Sequence, residues 1–239
     1  MLFIKLIRNI LNFFDYFQQN KIINFLKNYL HDEIILFDVG SHYGETVKLF
    51  SKNFKIKKIH CFEASPDNFE KLSKIISENN LQKICVLNNT GVGLNEYPTF
   101  INQTKESSSS TINSFNTQSK YLRKKLRILN INKIDNFYKK TPIKMTSLDN
   151  YIRKEKIQFI DVLKIDTEGF EFNVLKGLND NFKLIKFIYF EHHYDDMIIK
   201  HYNFGDIHQL LKSYGFKMLK KSKMLFRKSF EYIYENKKN

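Results

Sequence analysis

Apolar positions along the chain fall into two rhythms: short unbroken runs, and stretches in which they recur every three or four residues. The first run, Ile34-Ile35-Leu36-Phe37, leads into Asp38, Val39 and Gly40, and a second glycine follows at Gly44. A run of that length bounded by glycine predicts a fully buried parallel strand that stops at a tight turn. A helix from Glu45 to about Asn53 follows, with Val47, Leu49 and Phe50 on its apolar side. Lys58–Glu63 reads as a second strand, and Ser65-Pro66 as a helix start, because serine caps and proline suits the first helical position. Phe69, Leu72, Ile75 and Ile76 give that helix its stripe. Gln82–Leu87 reads as a third strand, Asn88–Gly93 as a loop, and Tyr97–Ile101 as a short extra strand.

Regular patterning returns at Ile143–Met145, before a helix over Leu148–Lys154 capped by Thr146 or Ser147. Phe159–Ile165 is a strand stopped at Asp166-Thr167-Glu168-Gly169. The next helix carries Phe172, Val174 and Leu175 and ends near Gly177, read as its C-terminal cap. Leu184–Phe190 is a strand ended by Glu191-His192-His193, and a helix covers Phe204–Lys212. Phe216–Leu219 and Phe230–Tyr234 pair as a hairpin. Strands alternating with helices, then a hairpin, predict an α/β fold: a Rossmann-like, mostly parallel central sheet with a C-terminal antiparallel hairpin.

Residues 1–33 read as an N-terminal helical extension and 34–239 as one domain. The least regular part, 102–141, contains Ser107-Ser108-Ser109-Ser110 and then a basic stretch of helical character. It reads equally as a solvated surface loop and as a lid or acceptor-binding insertion. Met1–Phe17 has helical apolar spacing, but Lys5, Arg8, Asn9, Asn12 and Asp15 interrupt it too often for a signal peptide core or a spanning helix. Packing on the domain is the expected role, with contact to a membrane surface or a partner as the alternative.

Composition changes this picture little. Apolar content of 42% indicates a globular chain, and the formal net charge is +14. Such a charge ordinarily suggests nucleic acid or an anionic surface. Here the basic residues are scattered apart from clusters at 120–127 and 217–228, and the single alanine, Ala64, points to a biased composition. No nucleic-acid partner is expected. Cys61 and Cys85 lie in expected core strands without metal-ligand spacing, so free thiols in a reducing, cytoplasmic compartment are expected, peripheral to a membrane if the N-terminal helix lies on one.

The candidate chemistry sits at strand ends. In open α/β sheets, ligands bind outside the carboxyl ends, where strand order reverses. Four expected strands end in an acid: Asp38, Glu63, Asp166 and Glu191. The turn after the first lacks the dinucleotide fingerprint, because His42 stands where its second glycine belongs. What remains suits a nucleoside ligand without a pyrophosphate, of which S-adenosylmethionine is the common case, and Asp38 can hold its ammonium. Glu63, about twenty residues on, is placed to accept both ribose hydroxyl hydrogens. Glu168 reads as a helix-start acid. His192 and His193 read as proton acceptors or as polar loop residues. Glu191, His192, His193 and Asp195 are too close in sequence to converge on one ion, and no metal is expected. A nicotinamide oxidoreductase and a non-catalytic basic module binding nucleic acid or membrane are the rival readings.

Phe37-Asp38-Val39-Gly40-Ser41-His42-Tyr43-Gly44, Phe62-Glu63-Ala64-Ser65-Pro66, Thr146-Ser147-Leu148-Asp149 and Asp161–Glu171, in that order and spacing, resemble the FkbM-type methyltransferases. The block Lys164-Ile165-Asp166-Thr167-Glu168-Gly169-Phe170-Glu171 is the most specific part. The resemblance covers roughly residues 34–234. It implies a class I S-adenosylmethionine-dependent fold and O-methylation of a hydroxyl, often on a sugar, glycan, glycolipid or natural product. By motif match Asp38, Gly40 and Gly44 would line the methionine end of the cofactor and Glu63 would hold the ribose. Ser41, Tyr43 and Ala64 complete the cofactor-binding set, and Asp166 would sit at the methionine end or the acceptor. His42-Tyr43 departs from the smaller or apolar residues usual there. Asp166, Glu191 and His192 are the candidates to take the acceptor's proton.

Overall fold

The computed structural model describes residues 18–225 and 227–238. The apolar helix expected at Met1–Phe17 lies outside them. Residues 18–26 form helix α1. Strand β1 (Ile34–Val39), helix α2 (Glu45–Asn53), strand β2 (Ile56–Phe62) and helix α3 (Pro66–Glu78) follow. At α3 the Ser65 side chain accepts from the Asn68 amide, and Pro66 opens the helix. Strand β3 (Cys85–Asn88) starts later than the pattern suggests, because the chain after α3 turns back on itself and the Ile84 amide donates to the Leu81 carbonyl.

Next come β4 (Gly91–Gly93), β5 (Pro98–Thr104), α4 (Lys120–Ile128), β6 (Tyr138–Ser147) and α5 (Leu148–Lys154), the last capped by Ser147. The chain ends with β7 (Ile160–Ile165), α6 (Glu171–Lys176), β8 (Ile185–His193), α7 (Phe204–Ser213), β9 (Phe216–Lys223) and β10 (Ser229–Asn236).

Seven strands form the main sheet in the order β3-β2-β1-β7-β8-β10-β9. β10 runs antiparallel to both neighbours, and the pairings among β3, β2, β1, β7 and β8 are parallel. Strand order therefore reverses between β1 and β7. The sheet is buried on both faces, as parallel sheets are. Ile22, Ile23 and Leu26 of α1, Val47 and Phe50 of α2, and Leu72 and Ile76 of α3 cover one face, against Leu36, Ile59, Val162 and Phe187. Leu148, Tyr151, Val174, Leu175, Ile207 and Leu211 of α5, α6 and α7 cover the other, against Phe37, Phe62, Leu163, Ile188 and Tyr232. Side chains alternate between faces along a strand, so one set of strands supplies both layers.

Two expectations need correction. Gly91–Gly93 is a strand rather than loop, because β6 pairs with it in parallel and with β5 in antiparallel to make a second sheet, β4-β6-β5. Glu191–His193 belong to β8 itself, held there by pairing with Ser229–Glu231 of β10. Gly177 caps α6 as expected, its amide donating to the Asn173 carbonyl, and it does so with an ordinary φ of −72°. A Cβ there would collide with the Gly93 carbonyl oxygen, so the glycine serves contact between α6 and β4.

Candidate active site

The tips of β1 and β7 meet at the reversal point. Gly40 has φ +85°, a left-handed conformation that favours glycine. Its missing side chain is replaced by the Asp166 carbonyl, which packs directly against it. The space a side chain would take there is filled by backbone rather than left open to a ligand. The Gly40 and Ser41 amides both donate to the Phe62 carbonyl, at 2.9 and 3.0 Å, tying the turn to the end of β2. Gly44, at φ +83°, precedes α2.

Glu63 is 6% exposed and staples this turn. It accepts from the His42 amide at 2.8 Å and from the Ser65 amide at 2.9 Å. Burial pushes its carboxyl up to about 7, against the pull of those amides. The Ser41 hydroxyl donates to the Asp38 carbonyl at 2.7 Å. Ala64 is half-buried against the core. His42 and Tyr43 stack with ring centroids 3.7 Å apart, and Lys71 donates to the Tyr43 hydroxyl at 2.9 Å.

A polar row crosses the sheet on the α2–α3 face. Asp38 pairs with Lys164, and Lys164 with Tyr189, in register. By the same alternation Asp166, Glu191, His193 and Glu231 share that face. Asp38 is fully buried, and neither carboxylate oxygen has a hydrogen-bond partner among the described residues. Lys164 Nζ lies 3.8 Å from Asp38 and 3.1 Å from Asp166. Burial pushes the Asp38 carboxyl up although Lys164 draws it down. Burial opposes the Lys164 charge too, but Asp166 and Asp38 prevail and raise its pKa. The Asp166 carboxyl, with about a third of its side chain exposed, is held low by Lys164 and His193 in spite of its own desolvation. Further along, Tyr189 donates to Glu231, whose carboxyl burial raises to about 8.

His193 sits among three carboxylates: Glu168 at 3.5 Å, Glu191 at 3.4 Å and Asp195 at 3.6 Å. Burial disfavours its charge, but Glu168 and Glu191 overcome that and raise its pKa to about 10. Burial also lifts the Glu168 carboxyl to about 7, while His193 pulls it down. Glu168 does not start a helix as expected. It occupies a left-handed position, φ +50°, three residues past the end of β7. Glu171 takes the helix-start role, accepting from the Gly169 amide at 2.8 Å and from the Thr167 and Tyr202 hydroxyls.

The two histidines part company because β8 continues through them. His192 turns to the opposite face, 3% exposed, among Tyr194, Tyr202 and Phe204. Burial and Lys200 push its imidazole down to about 3. The structure thus brings Asp38, Glu63, Asp166 and Glu191 to one edge and sends His192 elsewhere. Lys164 and His193 are the residues whose place was missed. A lysine inside a buried apolar strand was the available signal, since unpaired lysines are almost never found there.

Among the described residues no group of three or more His, Cys, Asp or Glu side chains is arranged to hold a metal ion. Cys61 and Cys85 are free. A cavity of about 370 Å³ opens beside the glycine turn, lined in part by Asn68, Lys71, Gln103, Ser107 and Tyr138. A larger one, about 610 Å³, lies between the ends of β3 and β5 and helix α5, and none of the carboxylates above lines it.

Comparison with known proteins follows the same lines. The sequence model of the methyltransferase FkbM domain matches residues 38–218. No curated protein matches the chain. Among solved structures the chain is similar to a methyltransferase FkbM from Methylobacillus flagellatus KT, with TM-score 0.52 and 14% identity, covering 87% of this chain and 45% of that one. It is also similar to an rRNA methylase from Streptococcus thermophilus, with TM-score 0.50 and 12% identity, covering 90% and 94%. At these identities the likeness is one of fold. The chain spans less than half the length of the M. flagellatus protein.

Proposed function

The chain belongs to the methyltransferase FkbM family, and we propose that it moves the methyl group of S-adenosylmethionine onto a hydroxyl of a saccharide, glycolipid or small natural product. The observation that carries this reading is the meeting of Asp38, Glu63 and Asp166 around one glycine turn where strand order reverses. The residues fit the group. Asp38 offers two buried carboxylate oxygens that have an ion pair with Lys164 but no hydrogen bond among the described residues, and Asp166 a partly exposed carboxylate, both suited to a cationic methionine end. Glu63 serves two backbone amides and, at 3.5 Å, the Asn68 side-chain amide, which leaves its carboxylate lone-pair capacity for a ribose hydroxyl.

When bound, the cofactor supplies a methyl already activated on a sulfonium. The chain then has to align the acceptor oxygen and take its proton. Asp166, Glu168 and Glu191 stand on one rim for the second task, and His192 lies on the opposite face of the sheet. The two free thiols support a reducing, cytoplasmic setting. Among the described residues no helix is long and apolar enough to cross a membrane.

Calorimetry with S-adenosylhomocysteine and with NAD tests the cofactor. Binding of the first alone is expected, and binding of NAD alone would replace the reading with a nicotinamide enzyme. Because Glu63 also holds the turn, its removal cannot isolate the ribose contact. An S-adenosylhomocysteine analogue lacking both ribose hydroxyls does so, and should bind roughly tenfold to a hundredfold more weakly. The contact needs Glu63 ionised, and its carboxyl titrates at about 7. Affinity should therefore rise with pH through neutrality and fall toward tenfold per unit below it. A flat profile from pH 5.5 to 8.5 would count against the ribose role. The acceptor class is tested by transfer of radiolabelled methyl to a panel of saccharides, glycolipids and rRNA. Labelling of rRNA alone would overturn the hydroxyl-bearing small acceptor.

A further inference from the structure

Between β5 and α4, residues 104–113 form a strap that crosses from one rim of the reversal point to the other. On the β1 side the Ser107 hydroxyl lies 2.8 Å from His42 Nε2 and 2.8 Å from the Tyr43 hydroxyl, both in the glycine turn. On the β7 side the Thr111 hydroxyl donates to the Glu168 carbonyl at 2.7 Å, and the Asn113 amide group donates to the Gly169 carbonyl at 2.6 Å. Between these anchors Lys125 of α4 pairs with Glu106 at 2.7 Å and donates to Ser109. The strap is braced within itself, because the Ser110 hydroxyl donates to the Ser107 carbonyl at 2.8 Å and lies 3.0 Å from the Thr104 amide that donates to it. Ser107 holds φ +64°, left-handed backbone that a serine adopts only where its surroundings compel it. Ser107, Ser109 and Thr111 are buried although the sequence there is a run of small polar residues.

Two features set this apart from an ordinary surface loop. The contacts reach the backbone or side chains of both turns that flank the reversal point, and none of the residues contacted at those two rims belongs to the insertion itself. The contacts with those two turns are single hydrogen bonds from hydroxyl or amide groups, while Thr111 also bridges to Asn102 of β5 and Ile112 packs on the main core. Each such hydrogen bond contributes modestly to stability, so the strap is closed but lightly held at the two turns, as elements that must move tend to be.

We infer that residues 104–113 gate the cofactor cleft, with Ser107 as the latch on the glycine turn and Thr111 as the latch on the β7 turn. The inference rests on the methyl-transfer reading, whose product analogue serves as the probe. Loading requires the strap to leave at least one rim, and its closed state competes with the ligand, which lowers the apparent affinity by the fraction of open molecules. Both latches act through a side-chain hydroxyl, so each can be removed with little change of shape.

The test is stopped-flow binding of S-adenosylhomocysteine to the full chain, wild type against Ser107→Ala, Thr111→Val and the pair. Amide hydrogen exchange at 105–111 is followed in parallel without ligand. Each single variant should load roughly fivefold to thirtyfold faster, the pair faster still, and exchange in the strap should speed up in the same order. Unchanged association rates in both single variants would overturn the gate. So would weaker binding with unchanged association, which would make the strap part of the binding surface. Faster exchange in the variants with no S-adenosylhomocysteine binding by any of the proteins would overturn the methyl-transfer reading along with the gate. Unchanged exchange with normal ligand binding would overturn the latch alone.

Discussion

Replacing Lys164 with methionine should destabilise the fold by about 3–5 kcal/mol at pH 8, measured by urea unfolding. Lys164 is buried, with its Nζ 3.8 Å from an Asp38 carboxylate that no hydrogen bond satisfies among the described residues. Methionine keeps the length and apolar stem of lysine but leaves that carboxylate without its counter-charge. The cost should depend on pH with a definite sign. Burial already holds the Asp38 carboxyl above its ordinary range, against Lys164. A carboxyl raised in the folded state carries no penalty below its unfolded pKa, and a growing one as pH climbs toward the folded value. Losing Lys164 raises the folded value further, so the deficit should be largest at pH 8 and shrink by pH 5. Lys164 itself is raised by Asp166 and Asp38 against its burial. Its own stabilising share is therefore fully present below the free-lysine pKa and lost only as pH rises through the higher folded value. Adding Asp38→Asn should restore more than half of the lost stability and still bind S-adenosylhomocysteine poorly, because the ammonium partner is gone. A deficit below about 1 kcal/mol, or one independent of pH, would show that the pair carries little.

That pair also marks where sequence stops being informative. The bounds of α2 and α5, the Ser65-Pro66 start of α3 and the parallel core were all legible, because each is written in local patterning or in a cap. So were the acids at strand tips. What places them relative to one another is register, and register is a long-range property. That Asp38 faces Lys164 follows from the pairing of β1 with β7, across more than a hundred residues of chain. The histidines show the same limit: their separation onto two faces depends on β8 running on to His193, and only β10 makes it do so. The β4 strand, Gly91-Val92-Gly93, has no alternation to read and exists through its contact with β6. The strap of small polar residues read equally as solvated loop and as lid for a related reason, since hydroxyls that bond to distant backbone carry no local signature.

The glycines allow the close approach of β1 and β7 to be measured directly. Gly40→Ala should cost more than either of two other glycine substitutions, because it combines the penalties that each of them shows alone. Gly44 has φ +83°, but a Cβ there would meet only the tip of the Leu72 side chain, at 3.0 Å. Gly44→Ala should therefore show mainly the cost of a left-handed alanine, about 1–2 kcal/mol. Gly177 has an ordinary φ of −72°, while its Cβ would strike the Gly93 carbonyl oxygen, which is backbone and cannot rotate away. Gly177→Ala should show mainly the cost of overpacking, about 1–3 kcal/mol. Gly40 has both: φ +85° and the Asp166 carbonyl in the place a side chain would take. Its alanine variant should lose about 2–5 kcal/mol, the sum of the two. It should also lose most of its affinity for S-adenosylhomocysteine, because relief of the collision requires the tips of β1 and β7, and with them Asp38 and Asp166, to move apart. Gly177→Ala lies away from the reversal point and should bind normally once corrected for folded fraction. If Gly40→Ala proved no more costly than Gly44→Ala and bound as tightly as wild type, the two tips would not be held in contact. The carboxylates of the site would then owe their positions to something other than this backbone junction.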